Sequence, residues 1–262
     1  MFESIFLGII QGITEWLPVS SEGVTAIVIS SFSDRNFPEA VAYALWLHVG
    51  TALSASVVFR GEIFGLFRDF MTAPRQRSNL FMFLLIASVV SGIVAIPILI
   101  VLERLSSYVG ISAMAVVGIL MLITGGIQLR KLGAGVRAMD DVSSTDAVLV
   151  GFVQGLCILP GLSRSGLTIA VLLLRQIDRR DVLVTSFLMS IPASIGAGIY
   201  ILVTEDIVIG GEQILGALVA FLVGLATIKI LLRFSERVSF GLFMTLVGIF
   251  IVSGAIWQAT FT

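Results

Sequence analysis

Hydrophobic positions run along this chain in blocks long enough to cross a bilayer, separated by short stretches that collect the basic residues. A helix spanning the hydrocarbon layer needs about 20 predominantly apolar residues. Six blocks meet that length, at 38–59, 79–102, 111–130, 181–203, 212–232 and 239–260, and each predicts a transmembrane helix. Two more apolar regions, 1–37 and 144–180, are interrupted near their middles by Pro, Gly, Ser and charged residues. These predict re-entrant helical hairpins, which enter the membrane and return on the same side. Non-helical backbone at membrane depth is tolerated only inside protein or beside a watery cavity. The two interruptions therefore mark an internal polar site. The expected fold class is an all-α polytopic membrane protein.

The charges support this arrangement. Arg60, Arg68, Arg75 and Arg77 fall in loop 60–78, and Arg130, Lys131 and Arg137 in segment 130–143. Arg175, Arg179 and Arg180 lie at the end of the second hairpin, and Lys229, Arg233 and Arg237 near 229–239. With six spans and two returning hairpins, these thirteen share one side, and only Arg35 and Arg104 fall on the other. Loop 204–213 on that other side carries Glu205, Asp206 and Glu212 without a basic residue. The positive-inside rule makes the thirteen cytoplasmic and turns both termini outward. Loop 68–78 is expected to be a solvated connection.

Composition narrows the class. The chain is 57% hydrophobic and 13% charged over 262 residues, with a mean hydropathy of +1.08. Soluble domains are usually about 25% charged. The net charge of -1 is uninformative about partners, but the basic residues are scattered singly with no dense run, so nothing suggests a nucleic-acid partner. The single cysteine, Cys157, permits no internal disulfide. The opening "MFESIFLGII" lacks a basic leader and a small-residue cleavage pattern, so it is expected to stay in the mature protein.

Set against itself at an offset of 143, the chain pairs Gly8 with Gly151, Gln11 with Gln154, Gly12 with Gly155, Ser20 with Ser163, Gly23 with Gly166 and Thr25 with Thr168. Each half, about 1–135 and about 144–262, is then one hairpin followed by three spans. Three is odd, so the second half runs upside down relative to the first. Such inverted repeats place their sites near the midplane, where the halves meet.

The residues at the breaks are "QGITEWLPVSSEG" (11–23) and "PGLSRSGLT" (160–168). Pro18 cannot continue a helix, and Ser20 or Ser21 can cap the next one. Pro160-Gly161 followed by Ser163 does the same in the second half. Helix N-termini aimed inward attract anions, phosphate above all. Arg164 adds a planar fork that matches phosphate oxygens, and Ser163, Ser165 and Thr168 add hydroxyls. Gln11 and Glu15, four apart, share a helix face. Glu15 and Glu22 are candidates to hold a hard divalent cation, Mg2+ or Ca2+, which takes oxygen ligands. The set reads as a phosphoryl site, in which catalysis is positioning and charge neutralisation. Plainer roles exist for each group: a Glu15–Arg164 lock between halves, serine caps, and glutamines as helix–helix glue. His48, the sole histidine, fits a satisfied buried role or a cavity-facing proton carrier. Trp16 fits packing better than substrate stacking.

These paired motifs resemble the signatures of the bacitracin-resistance family of undecaprenyl-diphosphate phosphatases. That family carries an acid or Gln, three residues, then Glu, followed by Leu-Pro-Val-Ser-Ser, with Pro-Gly-x-Ser-Arg-Ser-x-x-Thr as its second motif. The resemblance spans nearly the whole chain. It implies a multi-pass enzyme of a prokaryotic plasma membrane that removes the terminal phosphate of a C55 polyprenyl diphosphate, recycling a lipid carrier. It also implies dependence on a divalent cation and a pocket opening toward the extracytoplasmic face. Carried over, Gln11 and Glu15 match the acidic motif, Ser20 and Ser21 the serine pair with Ser21 or water as nucleophile, and Ser163, Arg164, Ser165 and Thr168 the second motif with Arg164 as clamp. Many members continue Ser-Ser-Thr-Gly-His where this chain has Ser20-Ser21-Glu22-Gly23-Val24. Glu22 is the nearest substitute for that histidine, and His48 a more distant one. A transporter or flippase of polyprenyl phosphates on the same fold is the competing function, and assembly as a homodimer is left open.

Overall fold

The computed structural model describes residues 1–17, 20–32, 37–71, 78–105, 111–129, 136–159, 161–204, 209–234 and 240–261. Pro18, Pro160, Arg35, Arg75, Arg77, Arg130, Lys131, Glu205, Asp206 and Arg237, all used above, lie outside the described residues. Helices dominate the described chain: α1 (Phe2–Thr14), α2 (Ser21–Phe32), α3 (Phe37–Val58), α4 (Arg60–Met71), α5 (Asn79–Leu105), α6 (Ile111–Gln128), α7 (Ser144–Leu156), α8 (Arg164–Leu174), α9 (Arg179–Thr204), α10 (Gly211–Phe234) and α11 (Phe240–Phe261). A 3-10 turn, Met139–Asp141, precedes α7. No strand occurs among the described residues. Among those residues, four segments are long and apolar enough to cross a membrane: Glu39–Val58, Asn79–Val101, Asp181–Val203 and Gly211–Leu231.

The distribution of exposed side chains explains how these helices coexist. Met82, Leu85, Val89, Ile93, Ile96 and Ile100 recur every three or four residues along α5, and all face outward. Ile214, Leu218 and Leu222 do the same on α10, and Val116, Ile119 and Ile123 on α6. Meanwhile Gln11, Glu15, Glu22, Thr25, His48, Ser163 and Thr168 are buried. A monomeric soluble domain does not expose apolar surface on this scale. The protein is a multi-pass membrane protein, apolar outside and polar at its centre.

Two helix pairs bring the halves together by the same device. On α1, Gly8 and Gly12 lie against α10, where a Cβ at Gly8 would sit 2.5 Å from the Gly216 carbonyl oxygen. On α7, Gly151 and Gly155 lie against α5, and a Cβ at Gly151 would sit 2.5 Å from the Ala87 carbonyl oxygen. Without hydrophobic drive between helices in lipid, close backbone approach at small residues supplies the attraction. Each glycine pair is spaced by four, so each falls on one helix face. Between them, α3 and α9 meet at the centre. Trp16 closes that core, edge-on to Phe187 of α9 with ring centroids 5.4 Å apart.

The expectation of a solvated connection over 68–78 changes in part: Arg60–Met71 forms α4, and residues 72–77 lie outside the described residues. The apolar residues of α4 are divided, with Ile63 and Leu66 packed inward and Phe64, Phe67 and Met71 exposed. Farther along the chain, the basic residues Arg137 and Arg175 share one acidic partner. Both bind Asp146 in the first turn of α7, Arg137 at 3.0 Å and Arg175 through its Nε. Asp146 also accepts from the Ser143 backbone N–H at 2.9 Å while the Ser143 hydroxyl caps the helix. The base of α7 is thereby tied to the end of α8.

Gly151→Val is expected to lower thermal stability in detergent micelles, by about 1–3 kcal/mol for an overpacked interface. An unchanged melting temperature would contradict the close α5–α7 contact.

Candidate active site

Helix α1 stops at Thr14, with Glu15 as its C-cap, and α2 starts at Ser21; α7 stops at Leu156 and α8 starts at Arg164. The two breaks face each other. Ser20 holds a left-handed φ of 57°, uncommon for a non-glycine residue. That turn lets its Oγ accept the backbone N–H of Gly161 at 3.0 Å. Gly161 itself has φ 104°, open only to glycine at little cost. The Ser165 hydroxyl donates back to the Leu17 carbonyl at 3.2 Å. Ser163 caps α8 by accepting the Gly166 N–H at 3.1 Å. Of the two expected serine caps, Ser163 acts as one, while the side chain of Ser20 serves the contact between hairpins.

Glu15 is the hub. Its Oε1 pairs with Arg164 from the other hairpin. Its Oε2 accepts from Gln11 Nε2 at 2.9 Å and from the Ser21 hydroxyl at 2.8 Å, and lies 3.0 Å from His48 Nε2. The side chain is 1% exposed and that of Arg164 10%. Charges so buried persist only when paired and hydrogen-bonded. Arg164 Nη1 is buried with no partner, an unused donor beside the pair.

A space of about 10 Å³ sits here, lined by Glu15, Leu17, Ser20, Ser21, Glu22, Ser163, Arg164 and Ser165. That is about enough for one water. Glu22 and Arg164 also line a second cavity of about 460 Å³, with His48, Gln154, Cys157 and a mostly apolar wall from α5 and α9. Of the nine residues proposed from sequence, seven line the small space. Gln11 and Thr168 do not. Gln11 bonds to Glu15 and accepts from Thr25 at 3.3 Å. Thr168 bonds to the Arg164 carbonyl at 2.8 Å and to Ser186 at 2.7 Å. Both brace residues that line the space.

Nearly the whole chain matches known proteins. The model of a protein family described as bacitracin resistance protein BacA matches residues 4–252. The chain belongs to this family. Members similar to it include a protein of Methanococcoides burtonii, 38% identical over 257 residues, covering 94% of this chain and 95% of that one. One from Methanothrix thermoacetophila is 35% identical over 254 residues, covering 94% and 93%. A third, from Sulfurisphaera tokodaii, is 36% identical over 250 residues, covering 90% of each. All three carry the name undecaprenyl-diphosphatase.

The family resemblance leads to the expectation of a histidine at position 24, where this chain has Val24; an imidazole reaches the site from another helix. His48 Nε2 lies 3.0 Å from Glu15 Oε2, 3.3 Å from Glu22 Oε1 and 3.3 Å from Ser21 Oγ. No spacing in the sequence links position 48 to position 15. The available signal was that His48 is the only histidine and lies at membrane depth, where ionisable residues are usually functional.

The divalent cation expected at Glu15 and Glu22 meets a poor donor set. Both Glu15 oxygens are taken by protein donors, Oε1 by Arg164 and Oε2 by Gln11, Ser21 and His48. Among the described residues no group of three or more His, Cys, Asp or Glu is arranged to hold a metal, whereas Mg2+ or Ca2+ wants six or more oxygen ligands. These residues do not fit a protein-held cation. Equilibrium dialysis against Mg2+ or Ca2+ without substrate is expected to find no stoichiometric ion. One ion per chain would contradict this donor inventory.

Proposed function

We propose that this family member is a membrane-embedded undecaprenyl-diphosphatase. It hydrolyses a polyprenyl diphosphate to the monophosphate and inorganic phosphate, with Ser21 as nucleophile. The observation that carries this is the convergence of Ser21, Glu15 and Arg164 from two broken hairpins beside a long apolar cavity. The Ser21 hydroxyl already donates to Glu15, so nucleophile and base are in hydrogen-bond reach. Attack by Oγ on the terminal phosphorus passes its proton to Glu15. Arg164 leaves Glu15 for the phosphoryl oxygens, using Nη1, which has no partner at rest. The N–H groups opening α2 and α8 face the same point and favour the developing negative charge. The lipid monophosphate departs, and water hydrolyses the phosphoserine. Since the resting space is only about 10 Å³, the phosphoryl group enters by displacing the Arg164–Glu15 pair. Any divalent cation, in this reading, arrives as the counter-ion of the diphosphate. Gln11, Thr168 and Ser163 position the reacting groups.

The finer architecture belongs to the same reading. Besides the four long apolar segments, α6 and α11 run for 18 and 22 residues and complete six spans. The α1–α2 and α7–α8 pairs are the re-entrant hairpins of an inverted repeat. The matching glycine contacts of α1 on α10 and α7 on α5 support that symmetry. The protein sits in a prokaryotic plasma membrane with its pocket toward the extracytoplasmic face, as the one-sided basic residues favour. No observation specifically favours the transporter alternative, and the named relatives are hydrolases.

Purified protein in nanodiscs is expected to release phosphate from an undecaprenyl diphosphate. Ser21→Ala and Arg164→Ala should each lower kcat by about 100-fold or more. Arg164→Lys should not restore it, because an ammonium cannot bind two oxygens in a fixed fork. No phosphate from the wild type would remove the hydrolase reading.

A further inference from the structure

The imidazole of His48 sits where the two cavities join. The small space holds the groups that would grip the terminal phosphate, and the large apolar cavity is the route for an isoprenoid chain. A diphosphate lipid seated in both must thread its bridging oxygen past Glu22, Arg164 and His48. Glu22 and Arg164 line both cavities, and His48 lines the large one while reaching Glu15 and Ser21 in the small one.

The hydrogen bonds fix what this ring can do. His48 Nδ1 lies 2.7 Å from the Ala44 carbonyl, which can only accept, so Nδ1 donates and the ring orientation is set. Nε2 then faces two carboxylate oxygens, Glu15 Oε2 at 3.0 Å and Glu22 Oε1 at 3.3 Å. Ionised carboxylates only accept, so Nε2 also carries a proton. Arg164, the other cation at the junction, cannot release a proton. The charged groups facing the ring are Glu15 at the end of α1 and Glu22 on α2, with Arg164 of α8 behind Glu15. On the cavity wall α7 adds Cys157 and α9 adds Tyr200. Helix α10 packs on another side of α3, through Gly50 and Ser54.

We infer that His48 is the general acid of the reaction, delivered by α3 to take the place of the histidine that Val24 replaces on α2. This rests on the hydrolase reading above. As the bond between the terminal phosphorus and the bridging oxygen breaks, its electron pair goes to that oxygen. The Nε2 proton of His48 moves onto the same oxygen, and the N–H electron pair stays on the ring. Glu15, holding the proton taken from Ser21, returns it to Nε2 across their 3.0 Å contact. The ring is recharged with no net proton gained or lost in this half-reaction.

The test uses untagged or Strep-tagged protein, so that His48 is the only histidine. His48→Gln should lower kcat on a polyprenyl diphosphate by about 100-fold, with KM within about threefold of wild type. It should also abolish the alkaline decline of kcat, the limb on which the acid loses its proton. Val24→His added to His48→Gln should recover at least tenfold. Should His48→Gln fail to fold, carbethoxylation of the wild-type histidine should remove activity in step with modification while the melting temperature holds. A His48→Gln enzyme that is folded and within threefold of wild-type kcat overturns the inference and leaves the hydrolase intact. So does a kcat loss with an unchanged pH profile, or full activity after carbethoxylation. A wild type that releases no phosphate takes down both.

Discussion

A carboxylate and a guanidinium cannot sit inside a bilayer apart from each other. Removing either partner of a buried pair leaves an uncompensated charge, at a cost of about 3–5 kcal/mol. Here the partners come from different halves of the chain, Glu15 from the first broken hairpin and Arg164 from the second. Neither hairpin can bury its tip alone. The pair therefore dictates that the two interruptions meet. The supporting contacts, Gly161 to Ser20 and Ser165 to Leu17, run along the same seam.

That constraint also generates the chemistry. An ion pair strong enough to hold the seam occupies the place a phosphate would take, so the resting site is nearly closed. A diphosphate carries the negative charge needed to compete for Arg164. In the proposed reaction, Glu15 then loses its strongest cation and becomes a better base for Ser21, so that structure and reactivity would use the same two residues at different moments. His48 Nε2 lies against both Glu15 and Glu22, so in the proposed reaction the pair can open without leaving Glu15 without a partner.

Much of this was legible in the sequence, where local rules suffice. Apolar block lengths located the helices, since a membrane helix must be long and continuous. Proline, glycine and serine marked the breaks, and Glu15, Ser21 and Arg164 stood out as polar groups in an apolar chain. What failed to show was packing between distant helices that no motif links, in contrast to the anticipated Glu15–Arg164 contact. His48 reaches Glu15 because α3 lies against the hairpin, and no periodicity within α3 encodes that. Helical spacing put Gln11 and Thr168 on the same faces as site residues, yet it cannot say whether a face meets a cavity or a neighbouring helix. Both meet neighbours. Likewise, two glutamates in sequence do not reveal that Arg164, Gln11, Ser21 and His48 already contact one of them.

The most direct test of the shared seam is a double-mutant cycle on Glu15→Gln and Arg164→Gln, read as unfolding free energy in mixed micelles. If the two hairpins are joined through this pair, each single change costs about 3 kcal/mol, and the double change costs less than their sum by more than about 1 kcal/mol. Strictly additive losses would mean that the two residues do not meet, and the site built on their contact would not exist.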